Sequence, residues 1–179
     1  MLRAKLAKVA IVLCAAACAA DKEAEVPQDA DTEVAQLKAA TNADTTDWQA
    51  QVRLSEALRR KNRLEEASQA AQRAFMIAPS PGTEARLEMA KVFAASDRNM
   101  AAINLVKEVE KKKRDSNEPA DEVKIAEVYA VLGDASAVFR WLDRAITANS
   151  PNLASVKTNP DFNSVHDDPR WQEIIAKLP

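Results

Sequence analysis

The sequence predicts an all-α chain of antiparallel helix pairs stacked side by side and closed by a C-terminal helix. Glycine is confined to Gly82 and Gly133, a composition poor in hairpin turns and rich in helix formers. Around Gly133-Asp134 two helical patterns meet. Ile125, Ala126, Tyr129 and Leu132 recur at three-and-four spacing before the glycine, and Val138, Trp141, Leu142 and Ala145 recur after it. The pattern then repeats upstream, because Leu54, Met89 and Ile125 head equivalent patterns at steps of 35 and 36 residues. One helix pair cannot bury both its faces, so neighbours of the same kind are required.

Residues 1–17 read as a secretory signal peptide. Arg3, Lys5 and Lys8 precede an apolar run from Val9 to Ala20. About twelve apolar residues span roughly 18 Å as a helix, short of a bilayer core of roughly 30 Å. Both cysteines, Cys14 and Cys18, fall in this region, so no disulfide framework is expected downstream. Ala15-Ala16-Ala17-Cys18 resembles the bacterial lipobox, in which a small residue precedes the cysteine that receives lipid. It carries Ala15 where that motif usually has leucine, and cleavage at an Ala-x-Ala site after Ala17 or Ala20 is the alternative. Removal of the first 17 residues leaves 22 cations against 27 acids, a net charge near −5. Residues 18–33 are acidic and lack large apolar side chains, so a flexible tether is expected there.

Beyond the tether, Val34 to Ala40 predicts a leading helix ending near Asn42. Three helix pairs are then expected at 48–81, 83–116 and 119–152, together filling 34–152. Ser55, Ala90 and Ala126 on the first helices, with Ala67 and Ala102 on the second, are small enough for close helix approach. Val138 is the larger exception. Tyr129, Phe139 and Trp141 sit at core spacing. Glu108 and Glu110 stand four residues before Lys112 and Arg114, which predicts ion pairs along the basic end of the fifth helix.

With these residues in view, the chain resembles tetratricopeptide repeat proteins, whose period of about 34 residues is a helix pair. Pro79 falls where that family closes a repeat. The family's early tryptophan is replaced by Gln51, Arg86 and Glu122, and its glycine by Asn62 and Asp97 in the first two copies. The 153–179 segment is similar to the closing segment of bacterial tetratricopeptide proteins. Asn159, Pro160 and Phe162, then Asp167 to Trp171, carry that likeness. Asp168 is expected to cap a last helix with Pro169 at its first position, and Trp171, Ile174, Ile175 and Leu178 to lay an apolar lid on the final pair. The resemblance implies a tetratricopeptide-like α-solenoid over residues 34–179.

Catalytic chemistry finds no support in the sequence. His166 is the sole histidine, which removes histidine-based triads, and His166-Asp167-Asp168 lacks a convergent ligand set. Two isolated glycines build no phosphate loop. Near-neutral charge gives no general case for nucleic acid, and no metal or cofactor is expected. The resemblance implies a concave groove lined by the first helices, here Arg53, Glu56 and Arg60, then Leu87, Glu88 and Lys91, then Val123, Lys124 and Glu127. Helix pairing is expected to leave Arg53, Arg60, Lys91 and Lys124 free. Glu56 stands where chaperone cofactors of the family carry a clamp asparagine, so acidic C-termini of that kind are not the expected partner.

The expected function is a non-catalytic adaptor or assembly factor of the bacterial cell envelope. It would be exported, lipid-anchored through Cys18, facing the periplasm, and bound to a protein or peptide. A structural subunit packed permanently into an envelope complex is the alternative. A third reading, from another class, is an enzyme acting on envelope carbohydrate, which needs paired carboxylates at roughly 5–9.5 Å.

Overall fold

The computed structural model describes residues 30–79, 82–116 and 121–178, which form helices and loops with no strand among them. The expected signal peptide, Cys18 and most of the expected tether lie outside the described residues. The chain order is α1 (Ala30–Ala43), α2 (Trp48–Arg60), α3 (Leu64–Ile77), α4 (Thr83–Ala95), α5 (Asn99–Ser116), α6 (Glu122–Val131) and α7 (Ala135–Ala148). Two 3-10 segments, Leu153–Lys157 and Pro160–Val165, lead into α8 (Pro169–Lys177). The leading helix begins four residues before the expected Val34. Glu33 lies in its first turn, where an acidic side chain suits the positive end of the helix dipole.

Sequential helices pack as pairs: α2 on α3, α4 on α5, α6 on α7. The first helices also touch one another in a row, α2 on α4 and α4 on α6, while α1 leans on α2. Close approach comes from the predicted small residues. Ser55, Ala67, Ala90, Ala102 and Ala126 are fully buried, and the larger Val138 is equally buried. One apolar core runs from Leu87 through the second and third pairs to Leu178, and a smaller one joins α1 to the first pair. Phe93 and Leu105 pack against both.

The turns within the three pairs are the same device. Arg63, Arg98 and Asp134 each donate a backbone N–H to the carbonyl five residues back, on Leu58, Phe93 and Tyr129, at 2.9, 2.8 and 2.9 Å. Asn62, Asp97 and Gly133 each donate to the carbonyl three residues back. This bonding satisfies orphan carbonyls at a helix end and places one residue in the left-handed region. The φ angles there are 57° at Asn62, 58° at Asp97 and 77° at Gly133. The two residues that replace glycine in the repeat pattern therefore keep its backbone conformation.

Caps fix where the helices start. Asp47, Asp121 and Asp134 accept from the N–H groups of Ala50, Val123 and Ala137. Asp168 accepts from Arg170 N–H, and Pro169 occupies the first position of α8, as predicted. Trp171, Ile174 and Leu178 are buried where α8 meets α7, with Ile175 partly buried. At the basic end of α5 the predicted pairing of Glu110 with Arg114 is replaced. Glu110 turns inward, accepting from the Tyr129 hydroxyl at 2.7 Å and the Trp141 indole N–H at 3.2 Å, while Arg114 meets Asp115 at 3.5 Å. Two buried aromatic donors need an acceptor more than a solvated guanidinium does. Among the described residues no helix is long and apolar enough to cross a membrane.

Candidate functional site

The repeat step sets one residue of each first helix beside its equivalents. Glu56, Lys91 and Glu127 occupy one such position, so charge alternates across α2, α4 and α6. Lys91 Nζ stands 3.0 Å from Glu56 Oε1 and 3.0 Å from Glu127 Oε2. A second position carries Arg53, Glu88 and Lys124. Glu88 Oε2 is 3.0 Å from Lys91 Nζ, and Lys124 Nζ is 3.5 Å from both Glu56 and Glu127. The third position carries Arg59, Ala94 and Ala130. Two alanines there leave room on the common face of the three helices, and the chain itself fills it.

The filling is the Asn159–Val165 stretch, which packs against α6. Arg59 holds Asp161 through two parallel hydrogen bonds, Nη1 to Oδ1 at 2.9 Å and Nη2 to Oδ2 at 2.8 Å. This bidentate geometry is the strongest pairing available to a carboxylate. Asp161 Oδ2 also lies 3.6 Å from Lys91 Nζ. The Asn159 side chain caps its own turn by accepting from Asp161 N–H at 3.0 Å, and donates to Glu127 Oε1 at 2.8 Å. The Ser164 hydroxyl donates to the Ala130 carbonyl at 3.0 Å. Phe162 and Val165 are buried in the same apolar core as Ala94 and Ala130.

Burial makes this charge cluster consequential. The side chains of Lys91, Glu88 and Glu127 are exposed by no more than 2%, and those of Arg59 and Asp161 by 6% and 5%. Moving an ion out of water costs several kcal/mol after relaxation, so each charge needs close partners. Three cations (Arg59, Lys91, Lys124) face four carboxylates (Glu56, Glu88, Glu127, Asp161). The carboxylates do not share that compensation equally. Burial alone would raise the Glu56 carboxyl, but Lys91 and Lys124 hold it down to about 2. Burial likewise works against Asp161, and its hydrogen bonds from Arg59, with Lys91 nearby, keep it below its ordinary value. Glu88 goes the other way: complete burial and the neighbouring Glu56 push it up despite Lys91 and Arg59. Lys91 resists burial because Glu88, Glu127 and Glu56 surround it, and its ammonium stays charged well above the usual lysine range.

The expected groove residues therefore separate. Arg53 is exposed and paired at 3.8 Å with Asp47, Arg60 is exposed, and Glu56 and Lys124 sit at the margin of the cluster. Leu87 and Val123 are core residues rather than groove lining, exposed by 2% and 0%. Lys91 and Glu127 are buried against the Asn159–Val165 segment, and Glu88 is buried among Ser55, Arg59 and Lys91. The expectation that Lys91 and Lys124 are left free is thus corrected, because helix pairing leaves them uncovered and the C-terminal segment and neighbouring acids then engage them. Arg59, Asn159 and Asp161 were not anticipated as site residues, and Asn159 stands out in the sequence only through the likeness of the closing segment. A charged residue at a position that is alanine in the other two copies was the available signal for Arg59.

His166 stacks on Trp171 with ring centroids 4.5 Å apart, and Asp168 pairs with Arg170 at 2.7 Å, so both belong to the α8 turn. Among the described residues no group of three or more histidine, cysteine, aspartate and glutamate side chains is placed to hold a metal ion. No family model matches the chain, and neither a curated protein nor a solved structure does.

Proposed function

We propose that this chain is a non-catalytic interaction protein: a tetratricopeptide-like α-solenoid acting as an adaptor or assembly factor of the bacterial cell envelope, held to a membrane by lipid on Cys18. The observation that carries the reading is the seat on the common face of α2, α4 and α6. It holds a peptide segment by a bidentate arginine, a buried lysine and apolar contacts, and that is the chemistry of a peptide-binding groove. The acids of the seat are committed to cations, which supports binding over acid–base catalysis.

The permanently packed structural subunit is favoured by a different feature. Phe75, Met76 and Ile77 end α3 as a run of exposed apolar side chains, with Met76 exposed by 82%. Crosslinking capture from membranes separates the two. An adaptor loses its partner when the seat is altered and keeps it when Met76→Glu changes the α3 end, and the structural subunit does the reverse. Capture of no protein from either would overturn both. Membrane fractionation tests the anchor, since Cys18→Ser should move the protein to the soluble fraction, and unchanged fractionation would refute lipidation.

A further inference from the structure

We infer that Asn159–Val165 is an intramolecular ligand, and that the seat beneath it takes a partner segment of the same chemistry: an acidic peptide with aspartate two residues after asparagine and an aromatic residue next. This rests on the interaction reading above and names the ligand class of that same site.

The contacts divide into two kinds. Phe162 and Val165 belong to the core and fix where the segment lies. Asp161 and Asn159 instead reach across to charged side chains on the first and third pairs, Arg59 and Glu127. Arg59 and Asp161 are 102 residues apart in sequence, and Asp161 lies outside the register of Arg59, Ala94 and Ala130, whose next step of 35 or 36 lands at Val165 or His166. Asp161 therefore meets Arg59 as a ligand side chain would, from a 3-10 segment laid on the common face of the first helices. Alternating charges at equivalent positions of α2, α4 and α6 would exist without the segment. The segment adds the one carboxylate that completes Arg59 and gives Lys91 its fourth acidic neighbour.

A tethered ligand competes at a high effective concentration, so an external peptide sees only the fraction of molecules whose seat is open. The apparent affinity for a partner is lowered by that fraction, and weakening the tethered copy should restore it. Charged members of the seat also fix what it admits. Arg59 left without Asp161 is a buried fork shaped for a carboxylate, and Glu127 accepts an amide N–H. An apolar peptide, or one with lysine at the aspartate position, leaves the Arg59 fork without its bidentate carboxylate and Glu127 Oε1 without its amide donor, although Glu88 and Lys91 remain beside them.

The full chain carries its own reporter. Trp171 packs against Phe162, with centroids 5.9 Å apart, and against His166. Displacement of the segment must change the Trp171 environment more than those of Trp48 and Trp141. The protein labelled with 5-fluorotryptophan gives three fluorine signals, one for each tryptophan. It is titrated with the synthetic peptide Thr-Asn-Pro-Asp-Phe-Asn-Ser-Val and with the same peptide carrying alanine for aspartate. The expected result is weak uptake by the parent and uptake tighter by at least roughly tenfold in Asp161→Asn, with the Trp171 signal moving and the alanine peptide ineffective. Adding Arg59→Met to Asp161→Asn should abolish the gain. Should Asp161→Asn not fold, Asn159→Ala loosens the segment while leaving Arg59 paired, and the same gain is expected there. A folded variant that binds the peptide no better than the parent overturns the inference. So does equal binding of the two peptides, or a variant that dimerises and takes up no peptide, since the seat would then belong to a second copy's segment. If crosslinked partners are still captured by the parent in any of these cases, the interaction reading stands and only the cis-ligand inference falls.

Discussion

Lys91 shows how much can depend on one side chain. Its ammonium is the centre on which Glu56, Glu88, Glu127 and Asp161 converge. Removing it leaves buried carboxylates facing one another, and breaking a buried pair of this kind costs about 3–5 kcal/mol. Lys91→Met keeps the stem of the side chain and deletes the charge, so it isolates the electrostatic part. Urea unfolding should show Lys91→Met losing nearly as much as Lys91→Ala. If methionine restores most of the loss, packing of the stem is what matters and the charge cluster is incidental. Reversal to glutamate, harmless on an open groove, is expected to prevent folding. Ala102 makes the steric counterpart. It is fully buried on α5 at the helix contact, and Ala102→Leu should cost about 1–3 kcal/mol by overpacking. Gln69 lies on the exposed face of α3, so Gln69→Leu should leave the melting curve nearly unchanged.

Among the elements, the turn inside each pair decides register, and its residues differ in how well they suit it. Gly133 sits at φ 77° with nothing within 4 Å of an added Cβ. Gly133→Ala therefore meets backbone strain alone, expected at about 1–2 kcal/mol. Asp97 holds the equivalent conformation with a side chain, at φ 58°, so Asp97→Gly should stabilise by up to about 1 kcal/mol. The two changes should shift the melting temperature in opposite directions. A shared sign would show that the turns are not equivalent. Elements of this kind were legible in the sequence because each signal is local. Helical spacing, the steps from Leu54 to Met89 to Ile125, and Asp168-Pro169 at the start of α8 all lie within one repeat of what they specify. The seat was not legible. Its deciding bond joins Arg59 to a residue 102 positions away, and periodicity carries no information about which segment returns to which face. The same limit explains Glu110, whose inward partners Tyr129 and Trp141 lie on the next pair.

For the molecule as a whole, the first helices of three pairs and the returning C-terminal segment share one charge cluster, so protonation there bears on all of them together. Glu56 and Asp161 have folded values below the ordinary 4.5 and 3.8. Their stabilisation is complete above those ordinary values and is lost as pH falls through the folded ones, about 2 for Glu56. Lys91 has a folded value above 10.5, so its contribution is complete below 10.5 and disappears only as pH rises through that higher value. Glu88 has the opposite sign to Glu56 and Asp161. Because its folded value lies above 4.5, the folded state is disfavoured as pH rises from 4.5 through that value and relieved on acidification. The pair Asp168–Arg170 lies at the surface, open to screening by solvent, and adds little. Urea midpoints should therefore fall steeply below about pH 4 and hold up to about pH 10. Glu88→Gln is the decisive variant. Deleting the ionisable group removes the component of the cluster that weakens the fold as pH rises from 4.5, whatever constant change accompanies loss of its contact with Lys91. Stability of Glu88→Gln relative to the parent should thus increase between pH 4.5 and neutrality. A difference that stays flat across that range would mean that Glu88 ionises in the folded protein as readily as in the unfolded chain, and that Lys91 and Arg59 offset its burial in full.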